Sequence, residues 1–198
     1  MRAIKVVSVG FIAAMVGMGV LGVSSAAAES TALCKEDVEV CPEGSFIEHI
    51  HGTTIQKAKL LTSTLTIECD ILSLGDVEGS SLGSPLVFVG VNTYTNCSSG
   101  CTITHLTETG VIEVLKTGHE TAQLTGESEL EVNCSGIHCV YNGEGAEGTG
   151  RGPLLSPQAN GDVTVVEREI HKVKGLFCPA VAKADFSSTA LEPTYITN

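Results

Sequence analysis

The sequence predicts an all-β protein: an antiparallel β-sandwich or barrel-like domain stapled by disulfides and preceded by a helical signal peptide. Three observations carry this expectation. The chain opens on an apolar leader that ends in small residues. Behind it, apolar side chains recur at every second position, the period of a half-buried strand. Eight cysteines, an even number, all lie after the leader, the pattern of a disulfide framework in an exported chain.

The leader comes first. Arg2 and Lys5 form a short basic start, Val6 to Val23 is apolar with interspersed glycines, and Ala26 and Ala28 supply the small-x-small pattern of a cleavage site. These features predict a signal peptide over 1–28 and a mature start at Glu29. Removing 28 of 198 residues leaves 170, enough for one domain with its own core. The leader takes two basic residues and no acidic one, so the formal charge of −12 becomes −14 in the mature chain. Such a polyanion is repelled by phosphate backbones and by anionic lipid head groups, which argues against nucleic-acid partners. No second apolar span follows, so no stable membrane insertion is expected after cleavage. The absence of Trp, with three Tyr and five Phe, leaves little material for stacking against sugars or bases.

Residues 29–52 are polar, contain Pro42 and Gly44, and read as an N-terminal arm closed by a local Cys34–Cys41 disulfide. Residues 53–198 read as a single β domain. Leu61, Ser63, Leu65, Ile67, Cys69 and Ile71 alternate with polar residues, which points Cys69 at a core. Pro85 to Thr95 is apolar on both faces and suits a central strand. Val111 to Leu115 is a further β-branched run. Leu130, Val132 and Cys134 face in, opposite Glu129 and Glu131. Along Val163 to Val173 the apolar phase shifts between Val165 and Val166, as a β-bulge requires. Ala182, Ala184 and Phe186 share a face with Cys178. Glycine-rich segments at 75–83 and 143–152 read as turns. Many short strands between turns imply a sandwich or barrel.

Spacing suggests further pairs Cys97–Cys101 and Cys134–Cys139, each across a tight turn, which leaves Cys69 and Cys178 to bond at long range. This pairing is one of the many that eight cysteines allow. A zinc site from the same C-x3-C and C-x4-C pairs, with His105 or His138, fits less well, because thiolate sites prefer reducing compartments and C-x2-C spacing.

The elements Thr66-Ile67-Glu68-Cys69, Asn96 to Thr102, Val132-Asn133-Cys134 and Phe177-Cys178-Pro179, behind a signal peptide, resemble those of secreted, cysteine-containing all-β proteins of actinobacteria. The resemblance spans roughly residues 53–190. It implies export, an all-β fold and disulfides, and carries no assigned activity.

Chemistry-bearing motifs are sparse. There is no H-E-x-x-H and no cofactor-binding motif. His49 and His51 would share a strand face and could contribute to a metal site. Glu127, Glu129 and Glu131 line one face but lie opposite apolar residues, which reads as a solvated exterior. The acidic stretch 142–148 lacks the ligand spacing of a calcium loop. Two readings follow: an exported non-catalytic domain with an extracellular or cell-envelope partner, or a secreted hydrolase with a site assembled from distant strands. The second requires a concave pocket with convergent, pKa-perturbed groups.

Overall fold

The computed structural model describes residues 30–106 and 110–198. The signal peptide expected over 1–28, and the mature start at Glu29, lie outside the described residues. The protein is all-β. Its strands are β1 (Ala32–Cys34), β2 (His49–Leu61), β3 (Thr66–Val77), β4 (Leu86–Thr95), β5 (Cys101–His105), β6 (Gly110–Gly118), β7 (Thr121–Glu127), β8 (Glu129–Cys134), β9 (Ile137–Asn142), β10 (Ala146–Arg151), β11 (Asp162–Lys174), β12 (Val181–Ala190) and β13 (Tyr195–Thr197).

Eight of these strands close into an antiparallel barrel, in the order β10-β7-β6-β4-β3-β2-β12-β11, with β10 pairing back onto β11. Strand β11 is long enough to serve two neighbours. Its first residues pair with β10, and its last, His171 to Lys174, pair with β9. From there β9, β8 and β5 extend the sheet beyond the barrel. The bulge predicted near Val165 is present: the β11–β12 register shifts between Val165 and Arg168, and Glu167 has φ +42°. That bend redirects β11 from one partner to the other.

The two ends of the barrel carry separate cores. One is built from Leu60, Ile67, Ile103, Val132, Tyr141, Ile170 and Ala182. The other holds Leu33, Ile47, Leu86, Phe88, Val114, Leu124 and Ile196. The second is capped by a two-stranded ribbon in which β1 pairs antiparallel with β13. The ribbon is tied down by Thr31, whose hydroxyl accepts the Lys116 backbone N–H at 2.8 Å and whose own N–H donates to the Gly83 carbonyl.

All eight cysteines are paired, in four disulfides, which fits an oxidising compartment. Cys34–Cys41 is as expected. The other three pairs differ from the expectation. Cys69 bonds Cys97, not Cys178; Cys101 bonds Cys134, not Cys97; and Cys139 bonds Cys178, not Cys134. Sheet register is the reason. Ser135 and Gly136 both have positive φ and make a two-residue hairpin turn, so Cys134 stands opposite Ile137 and Cys139 opposite Val132. Cys134 then faces Cys101 directly across the β5–β8 pair. The 3-10 turn Ser98–Gly100 separates Cys97 from Cys101 and leaves Cys97 against β3.

Two further expectations change. The alternation from Leu61 to Ile71 spans two strands, broken by a turn in which the Thr62 hydroxyl accepts the Leu65 N–H and donates to its carbonyl. The glycine-rich segment 143–152, read as a turn, contains barrel strand β10.

Candidate functional site: the barrel interior

Between the two cores lies a cavity of about 270 Å³. Its walls come from the inward positions of nearly every barrel strand, and its existence follows from what those positions carry. In a small barrel the inward side chains normally fill the interior. Here β10 offers Ala146 and Gly150 to the cavity, β3 offers Ser73 and Gly75, and β12 offers Ala184 and Ser188, while Gly90 and Gly148 line it where the Leu74 carbonyl and the Val165 side chain approach closely. Gly75 shows the effect directly: a Cβ at that position would meet nothing nearer than the Val89 carbonyl oxygen at 3.7 Å. Phe88, Val114, Leu124, Ile103 and Phe186 make most of the remaining wall apolar.

One polar cluster interrupts this surface. Asn92 and Tyr94 sit two residues apart on β4 and so face the same way. The Ser73 hydroxyl donates to Asn92 Oδ1 at 2.7 Å across the β3–β4 pair. Burial pushes the Tyr94 phenol pKa up to about 12, opposed in part by the Asn92 side chain. The Asn92 backbone N–H donates to Nδ1 of His105 at 3.4 Å. That contact assigns the imidazole proton to Nε2, and burial lowers the His105 pKa below the ordinary histidine value. All four groups line the cavity. Ser73, Asn92 and Tyr94 present neutral donors and acceptors, and burial disfavours charge on His105.

A buried carboxylate lies at the capped end. Glu120, 2% exposed, closes the turn between β6 and β7 with φ +56°. Its Oε1 accepts the Ile196 N–H of β13 at 3.1 Å, while Oε2 has no hydrogen-bond partner. Burial raises its pKa, opposed by that hydrogen bond and by His119, and reinforced by Asp37.

The residues singled out in the sequence lie elsewhere. His49 and His51 are on the exposed side of β2, and His49 Nδ1 contacts Asp76 Oδ1 at 2.6 Å across the β2–β3 pair. Glu131 pairs with His138 at 3.0 Å on the outside of β8 and β9. Asn142 accepts the Glu144 N–H and shapes the β9–β10 turn. No group of three or more metal-ligating side chains gathers among the described residues. Of the histidines weighed in the sequence, His105 alone reaches the cavity, and Ser73, Asn92 and Tyr94 carried no sequence signal beyond strand alternation.

No protein-family model, no curated protein and no solved structure matches this chain.

Proposed function

We propose that this is an exported, non-catalytic binding protein that holds one small, mainly apolar ligand inside its barrel. The observation that carries this reading is the cavity itself, walled by apolar side chains and kept open by glycine and alanine at inward positions. An apolar cavity of ~150 Å³ already admits benzene, so the space here takes a ligand roughly twice that size. Burial of such a ligand is driven by the apolar surface removed from water. The cluster of Ser73, Asn92, Tyr94 and His105 offers one hydrogen-bonding head group a place. The leader and the disulfides favour release outside the cell.

A hydrolase reading would need a nucleophile aligned on His105. The Ser73 hydroxyl is directed instead to Asn92 Oδ1, so the same groups read more simply as a ligand's polar contacts. The test is titration with the fluorescent apolar probe N-phenylnaphthylamine. Saturable one-to-one binding is expected, lost on Gly75→Leu or Ala184→Leu, each of which fills the cavity while leaving a folded, four-disulfide protein. Absence of saturable binding by the unmodified protein would refute the reading.

A further inference from the structure

We propose that the tip of the β11–β12 hairpin is a docking surface for an anionic lipid bilayer. Leu176, 81% exposed, and Phe177, 91% exposed, are the two most exposed large hydrophobic side chains among the described residues. They stand side by side on the turn, with Val173 also exposed just before them. Soluble proteins do expose single apolar residues, but adjacent, fully solvated Leu and Phe are what a binding site presents.

The tip is held in this form. Phe177 has φ +63°, which an aromatic residue adopts only when its surroundings impose it. The constraints are at hand: Cys178 is bonded to Cys139 on β9, and Lys172 Nζ donates to the Cys178 carbonyl at 3.2 Å. The apolar pair is therefore a rigid protrusion rather than a loose loop.

Charge distinguishes the occupant. The chain holds 23 acidic residues, yet none lies between Ile170 and Ala184, where His171, Lys172, Lys174 and Lys183 occur. Lys183 is paired with Glu167 at 3.0 Å, and His138, on the adjoining strand, with Glu131. Lys172 and Lys174 remain as the exposed cations beside the tip. Lys174 lies two residues before Leu176, about 7 Å at the strand rise. Side chains that enter the headgroup–acyl boundary by ~5–10 Å would thus bring the ammonium groups level with lipid phosphates. A convex wedge with a basic collar suits a fluid anionic surface.

Sedimentation of the leader-free, oxidised chain with phosphatidylglycerol-containing and with pure phosphatidylcholine vesicles tests this. Binding to the former is expected, weakening as salt rises. The double variant Leu176→Ser with Phe177→Ser should bind at least tenfold more weakly. Lys174→Gln should lose about fivefold. All three positions are exposed, so an unchanged melting temperature confirms folding. Equal binding to phosphatidylcholine, binding to neither vesicle, or unchanged binding by the Leu176/Phe177 variant would overturn the proposal. So would a concentration-dependent dimer that the same variant abolishes.

Discussion

Glu120 carries two burdens at one position, a buried carboxylate with an orphaned oxygen and a left-handed backbone. Its native pKa is raised chiefly by burial. The folded state therefore binds its proton more tightly than the unfolded chain does. In the window between the ordinary glutamate pKa and the raised native one, stability from this group falls as pH rises. Glu120→Gln keeps an oxygen for the Ile196 N–H and removes the charge. It should raise the melting temperature at pH 8, by a stabilisation on the order of 1 kcal/mol, and the gain should vanish in acid, where the native carboxyl is already neutral. Thermal melts of both proteins from pH 4 to pH 8 decide it; a difference independent of pH would contradict the assignment. Glu120→Ala loses the hydrogen bond to β13 as well, and should loosen the β1–β13 ribbon at every pH. Sequence reading passed over Glu120 because nothing in a Gly-His-Glu-Thr turn announces that its carboxylate is turned inward.

At the level of elements, strands were legible where polar and apolar residues alternate, as along Ile67, Cys69 and Ile71, and the bulge in β11 showed itself as a phase slip. What misled was punctuation. The alternation from Leu61 to Ile71 runs unbroken through a turn, because Thr62 and Leu65 keep the same period as the strands on either side. Strand β10 hides in the opposite way: its inward residues are Ala146, Gly148 and Gly150, so the cavity removes the hydrophobic signal that would mark a strand. The disulfides follow from elements too. Ser135-Gly136 sets a two-residue turn, and that register, not nearness in sequence, assigns the cysteines. The three long pairs close separations of 28, 33 and 39 residues, against 7 for Cys34–Cys41. In the chain-entropy model the three contribute about 3.6–3.9 kcal/mol each and the short one about 2.5. Replacing Cys69/Cys97, Cys101/Cys134 or Cys139/Cys178 by paired alanines should therefore lower the melting temperature by similar amounts, each more than the Cys34/Cys41 variant does. Unreduced peptide mapping should recover the three cross-links.

At the scale of the whole molecule, closure of the barrel is uneven. Strands β2 and β3 are joined through nine residue pairs, whereas β10 and β11 meet through three: Thr149–Thr164, Gly150–Val163 and Arg151–Asp162. Past that seam β11 turns away toward β9, and Arg168 spans the gap, its Nε donating to the Glu147 carbonyl at 3.1 Å and its Nη2 meeting Glu147 Oε2 at 3.0 Å. The ion pair is exposed and on its own contributes little to stability. Its position matters more than its strength, because Ala146 and Gly148, just behind it, line the cavity. A closed barrel with an interior ligand needs a route for exchange, and local opening begins where the fewest pairs must break. The β10–β11 seam is that place. Amide hydrogen exchange should be faster at 149–151 and 162–164 than in the β2–β3 pairing, and bound N-phenylnaphthylamine should slow it. Arg168→Ala should leave the stability within about 0.5 kcal/mol of the unmodified protein while raising both association and dissociation rates of the probe in stopped-flow fluorescence. Unchanged rates, with exchange at the seam no faster than in β2 and β3, would place the entrance elsewhere on the barrel.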